Sequence, residues 1–183
     1  MSTHDDAVKR MEKSIAALKD EFSSIRTGRA SASLFDKVRV DYYGEATPLS
    51  QVANVAIPEA RLVVITPWDK GIIGEIEKAI QKANLGLNPA NDGKVIRISI
   101  PPLTADRRKE LAKQAKATAE TSRVAIRNIR RDGNDALKKA QKDGEITEDE
   151  LKSVEDALQK STDKFISEIN KILEEKEKEI MES

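Results

Sequence analysis

Cysteine is absent from the 183 residues, so disulfides and thiol chemistry are excluded, and the usage fits a reducing compartment. Aromatics make only 3% of the chain (one tryptophan, two tyrosines, three phenylalanines), which excludes a large aromatic core and leaves alanine, leucine, isoleucine and valine to build one. The single histidine, His4, reads as solvent-exposed. With no second histidine and no cysteine a zinc site lacks its ligands, and a serine nucleophile lacks its base. No run approaches about 18 apolar residues, so no membrane span is expected. The acidic, amphipathic N-terminus is unlike a signal peptide, which makes the cytoplasm the expected location. Gly71-Ile72-Ile73-Gly74 lacks the Lys-Ser/Thr of a phosphate loop. Carboxylates are plentiful, but they fall on amphipathic helix faces as solvated groups rather than acid/base pairs. Neither an enzyme nor a cofactor nor a metal is expected.

Charge is abundant, at 35% of residues, and the net value of zero hides an asymmetry. Residues 105–144 carry 12 positive and 6 negative charges, net +6, whereas residues 145–183 carry 6 and 13, net −7. A basic helix and an acidic helix therefore share the chain. That rules out a uniformly basic nucleic-acid coat but not a basic stripe.

The stretch from Thr104 to Asp143 reads as one long helix, capped by Thr104 and stopped at Asp143-Gly144. The run 105–142 would extend roughly 57 Å. Leu111, Ala115, Thr118, Ser122, Ala125, Ile126, Ile129, Ala136 and Ala140 form its apolar stripe, made mostly of small residues that should let neighbouring helices approach closely. Gly133 in its middle costs about 1 kcal/mol against alanine. Lys116, Arg123, Arg127, Arg130 and Arg131 are placed on the opposite, exposed side, with Glu120 the nearest carboxylate. Such a row is explained either by a solvated face or by a rod that offers guanidinium groups to phosphates, and arginine's planar fork favours the second.

Before it, residues 3–27 carry Val8, Met11, Ile15, Leu18, Phe22 and Ile25 at spacings of 3, 4, 3, 4, 3, a seam for helix packing that Thr3 could cap. Gly28 offers a C-cap or bend, and Arg26 and Arg29 suit a helix C-terminus. From Ala30 the period becomes that of strands. Val38, Val40 and Tyr42 alternate with charged residues, Thr47–Pro58 is a mixed stretch, and Arg61–Thr66 reads as a central strand. A helix follows over Gly71–Ala83, then a loop over Leu85–Gly93 and a strand over Lys94–Ile100 that Pro101-Pro102 ends. Trp68 reads as core or surface packing. After Thr147-Glu148-Asp149-Glu150, a capping box, the last helix carries Leu151, Val154, Leu158, Thr162, Phe165, Ile169, Ile172, Leu173 and Ile180.

A lone helix with an apolar seam needs partners, and the other seams lie past Thr104. The predicted fold class is therefore α+β: a three-helix bundle (1–29 and 103–183) with an inserted small β/α/β domain (30–102), joined by hinges near 28–31 and 100–103. An adaptor whose arginines meet an acidic partner is the competing class, and a carboxylate hydrolase the weakest.

IRTGRAS at 25–31, YYG at 42–44, LGLNP at 85–89, IPPLTADRRKEL at 100–111 and AIRNIRRDGND at 125–135 together resemble the bacterial ribosome recycling factor family over essentially the whole chain. The resemblance implies an L-shaped, two-domain monomer of transfer-RNA-like size. It implies binding to large-subunit ribosomal RNA after termination, and splitting of the subunits with elongation factor G, which hydrolyses the GTP. It places RNA contacts at Arg108, Arg127 and Arg130, to which the charge row adds Lys116, Arg123 and Arg131. Arg26, Thr27, Gly28, Arg29, Ala30 and Ser31, with Pro101 and Pro102, would form the hinge.

Overall fold

A computed structural model of the chain describes residues 2–182. In order they form α1 (Thr3–Ser24), β1 (Arg39–Tyr42), β2 (Glu45–Pro48), β3 (Ala53–Glu59), β4 (Leu62–Pro67), α2 (Ile73–Lys82), β5 (Pro89–Asn91), β6 (Ile96–Ser99), α3 (Ala105–Lys142) and α4 (Glu148–Glu182), with 3₁₀ turns at Ala32–Phe35, Leu49–Gln51 and Lys70–Ile72. The architecture is α+β. It divides into a helical unit, running up to Ile25 and again over Asp106–Glu182, and a sheet unit, Arg26–Ala105.

The helical unit is a bundle of α1, α3 and α4. Ser2, not Thr3, caps α1, its hydroxyl accepting from the Asp5 N–H at 3.1 Å while Asp5 and Asp6 face the positive helix end. The helix stops at Ser24, three residues before the expected end. The Ser23 and Ser24 hydroxyls donate back to the Asp20 and Glu21 carbonyls at 2.6 Å each, and Ile25 turns to extended backbone. Gly28 is not among the positive-φ glycines and so makes no left-handed cap. Met11, Ile15, Leu18 and Phe22 are buried as their spacing requires. Between α3 and α4, Gly144 at φ +76 accommodates a Schellman turn, in which Glu145 N–H donates to Ala140 and Gly144 N–H to Gln141. The Thr147 hydroxyl then accepts from Glu150 N–H. His4 is half-buried rather than exposed, its Nε2 sharing a 3.0 Å hydrogen bond with Ser161 Oγ of α4.

The buried stripe of α3 differs from the expected one. Ala119, Gly133 and Leu137 are inside, Thr118, Ala125 and Ala140 are half-buried, and Ala136 is exposed. Nor do the small residues of α3 give the bundle's most extensive backbone approach, which lies between α1 and α4. Gly133 has a specific use. A Cβ there would stand 3.0 Å from Leu158 Cδ1, a tight approach, and in ordinary contact with Thr3 Cγ2 at 3.8 Å, so the three helices meet at a point where a methyl group would press on Leu158.

In the sheet unit, β1 and β2 form an antiparallel hairpin whose two-residue turn, Tyr43-Gly44, has φ +50 and +90. A second antiparallel sheet runs β3-β4-β6-β5. Because β6 lies between β4 and β5, the connection through α2 joins two parallel strands that are not neighbours. Ile72, Ile76 and Ile80 belong to the same core as Val63 and Ile65 of β4 and Ile96 and Ile98 of β6. β4 is central but buried on one face only: Val63 and Ile65 are inside, Thr66 is exposed, and Leu62 and Val64 lie between. The helix covers one side, so the continuous apolar run is not a two-sided strand. The mixed stretch before Pro58 contains the seven-residue β3, and the Gly/Asn/Pro-rich loop contains the three-residue edge strand β5. Tyr42, which alternates with Val38 and Val40, is exposed where they are buried. The helix expected from Gly71 begins at Ile73, after a 3₁₀ turn capped by Asp69.

An alanine replacing a glycine in an open helix stabilises by about 1 kcal/mol. At Gly133 the new methyl would press on Leu158, which is fully buried and has little room to yield. Gly133→Ala is expected to lower the thermal midpoint. Leu158→Ala alone should cost about 2–5 kcal/mol, and in its background Gly133→Ala should raise the midpoint. Calorimetry on the double-mutant cycle reads this change of sign.

Candidate nucleic-acid interface

The cationic row of α3 lies where the helix phase puts it. At 100° per residue Arg123, Arg127 and Arg130 sit about 60–120° round from the centre of the buried stripe. They border the α3–α4 seam and do not point directly away from it, and the structure accordingly holds all three half-buried. This corrects the picture of a free strip on the opposite side.

Residues of α4 and one carboxylate of α3 orient them. Arg123, with a side chain only 19% exposed, donates from Nε to Asn170 Oδ1 at 2.9 Å and from a terminal nitrogen to Glu120 Oε2 at 2.9 Å. Arg127 donates to the other oxygen, Glu120 Oε1, at 3.4 Å. Arg130 donates to Gln159 Oε1 at 2.7 Å, and Gln159 Nε2 in turn donates to Asp163. The Nε of Arg130 is buried and has no hydrogen-bond partner. Arg108 is half-buried towards the other end of α3, roughly 33 Å away along the axis, and bonds the Met181 carbonyl in the last turn of α4. Lys116 and Arg131 are exposed. A guanidinium has five N–H donors, so the one or two bonds seen at Arg123, Arg127 and Arg130 do not exhaust them. The result is a row of pre-aimed forks suited to oxyanions.

Gln159 and Asn170 were not singled out in the sequence. Their signal is that they lie three turns apart on α4, hence on one line beside its apolar seam. Among the described residues no group of three metal-ligating side chains occurs.

The IRTGRAS segment is built into the sheet unit. Arg26 reaches Gly86, which has φ +70, so that a Cβ there would lie 3.7 Å from its guanidinium. Thr27 and Gly28 are buried, and Thr27 Oγ1 accepts from Arg29 N–H. Ala30 N–H donates to Ala60 O at 2.6 Å, and Ser31 caps the 3₁₀ turn that follows. On the returning strand Ile100 N–H donates to Arg61 O at 2.8 Å, and Pro101 and Pro102 are exposed.

A protein-family model described as ribosome recycling factor matches residues 18–181. The chain belongs to the ribosome recycling factor family. It is 68% identical over 174 residues to the ribosome-recycling factor of Treponema denticola, covering 95% of this chain and 94% of the relative. It is 57% identical to that of Bacillus licheniformis over 100% of both chains. A solution structure of the ribosome recycling factor superposes with a TM-score of 0.79 at 41% identity, over 99% of this chain and 96% of the other. A second structure, of the T. thermophilus factor and the E. coli elongation factor G bound to the E. coli post-termination complex, gives 0.65 at 43% identity, over 98% and 99%.

The Glu120 carboxyl is held below the usual carboxylate range, first by the Arg123 hydrogen bond and then by the charges of Arg123 and Arg127. A depressed folded-state pKa stabilises above the unfolded value, and that contribution fades as pH falls through the folded one; exposure screens it. In an NMR titration Glu120 is expected to titrate below free glutamate. Arg123→Ala should return it towards the ordinary value, and Arg127→Ala should do so less.

Proposed function

We propose that the chain binds large-subunit ribosomal RNA through the arginine row of α3 and, with elongation factor G and GTP, splits the post-termination ribosome. The observation that carries this reading is the pre-aimed row itself, Arg123, Arg127 and Arg130 held by Asn170, Glu120 and Gln159, in a member of this family. Folded RNA is recognised mainly by phosphates, shape and 2′-hydroxyls, for which a straight helix with forked donors is suited and aromatic platforms are unnecessary. Arg108, Lys116 and Arg131 extend the contact along α3. No residue of the chain acts as a catalyst. The GTP chemistry belongs to the elongation factor, and the chain needs no cofactor, works as a monomer and acts in the cytoplasm.

The sheet unit acts as a lever in this reading. Arg26–Ser31 and Ile100–Leu103, with Pro101 and Pro102, form the hinge region. The anchoring of Ala30 and Ile100 to the β3–β4 turn moves the bending towards the ends of these segments, next to Ile25 and Thr104. The helical unit holds the RNA while the motor partner displaces the lever.

Two outcomes test this. Arg127→Ala should weaken binding to large subunits by about tenfold, or ~1.4 kcal/mol, with a thermal midpoint near that of wild type because the Arg127 side chain is 42% exposed and makes only a 3.4 Å pair with Glu120; wild-type affinity would count against the RNA face. Replacing Arg26–Ala105 by a Gly/Ser linker should leave a helical bundle by circular dichroism that still co-sediments with large subunits but no longer splits ribosomes in the presence of elongation factor G and GTP. Normal splitting would deny the sheet unit its role.

A further inference from the structure

The chain has six aromatic residues. Phe22, Phe35 and Phe165 are buried in the cores. The other three are exposed and gather in one place on the sheet unit. Tyr43 is 77% exposed and Trp68 is 68% exposed, and Tyr42 meets Tyr43 edge-on with ring centroids 4.7 Å apart. A chain so poor in aromatics has left half of them in solvent together, whereas burying large rings is what usually makes them worthwhile. Exposed tryptophan and tyrosine clusters are the side chains that dominate binding hot spots.

The cluster is built, not incidental. Tyr43 sits at the tip of the β1–β2 hairpin at φ +50, the conformation its two-residue turn requires. Its hydroxyl donates to Asp69 Oδ2 at 2.8 Å, tying the tip of the β1–β2 hairpin to the loop that carries Trp68. Asp69 Oδ1 in turn accepts from Gly71 N–H at 2.9 Å. Beside this tie runs a groove of about 500 Å³ lined by Tyr42, Glu45, Thr47, Gln51, Val52, Trp68 and Asp69. Its two charged side chains are both carboxylates, and no lysine or arginine is among the residues that line it. Asp69 is kept ionised, its pKa lowered first by the Gly71 N–H and then by the Tyr43 hydroxyl.

We propose that this groove receives an arginine side chain presented by a partner protein. The aromatic faces of Trp68 and Tyr42 offer a stacking surface for a planar cation. Glu45 and Asp69 supply the opposite charge at its rim. The same carboxylates repel a phosphate backbone, so the groove is not a base-stacking platform, and nucleic acid is left to the arginine row of α3. The two surfaces are complementary to partners of opposite charge. This inference does not depend on the RNA reading, because it uses none of those residues.

Trp68 is the only tryptophan, so its emission reports this site alone in the full chain. The probe is an acetylated, amidated Gly-Arg-Gly-Arg-Gly peptide, compared with its citrulline twin, which keeps the shape and loses the charge, and with a single-stranded RNA oligonucleotide. The expected result is a saturable change in Trp68 emission with the arginine peptide and about tenfold weaker binding of the citrulline peptide. Glu45→Gln and Asp69→Asn, the latter keeping an acceptor for Gly71, should each weaken the arginine peptide at least threefold with far-UV circular dichroism unchanged. The RNA should leave Trp68 emission as it was. Equal binding of the two peptides, no saturation up to about 10 mM, indifference to both carboxylate variants, or saturable binding of the RNA would each overturn the proposal.

Discussion

Two hydrogen bonds to adjacent carbonyls, Ala30 N–H to Ala60 and Ile100 N–H to Arg61, hold the outgoing and returning strands of the chain on one turn. The rest of the structure depends on that clamp. A segment of some eighty residues inserted between α1 and α3 separates two helices that must share a core, and the entropy of closing such a loop rises only slowly with its length. The larger requirement is geometric. The inserted unit must return the chain close to where it took it, and the β3–β4 turn does this by binding both crossings at neighbouring residues. The helical seams can then close as though α1 and α3 were joined by a short connection.

The two units were legible to different degrees. The seams of α1 and α4 carry large residues against a charged background, so their phase could be read directly, and Met11, Ile15, Leu158 and Ile169 are buried where the spacing puts them. The stripe of α3 is made largely of alanine, serine and glycine, which differ little between core and surface. The phase was therefore ambiguous by about one position, and Ala119 and Gly133 are inside while Ala136 is not. The same ambiguity misplaced the arginine row, since a modest rotation decides whether a guanidinium projects freely or lies along the neighbouring helix. Its anchors, Asn170 and Gln159, could not be identified without knowing which face of α4 turns towards α3. In the sheet unit β5 escaped notice because three residues with a proline among them carry no alternation to detect.

In the proposed reading the arginines of α3 gain from being partly enclosed. A long cationic side chain in free solvent loses rotamer freedom when it binds, and that loss subtracts from affinity. Arg123 and Arg130 are already restrained by acceptors on α4, so less freedom remains to be lost. Glu120 has a double effect. It helps to align Arg123 and Arg127, and in the proposed reading it also competes for their donors with any incoming anion.

The sheet has two open edges, and both are poor templates for another strand. β3 contains Pro58, which offers no N–H, and its pairing with β4 shifts register between Ala56 and Glu59. β5 is three residues long and begins with Pro89. A strand arriving from a second chain would find on one side a missing donor and a bulge, and on the other a ladder too short to hold it. The unit can thus leave its sheet uncovered at both margins without inviting edge-to-edge aggregation.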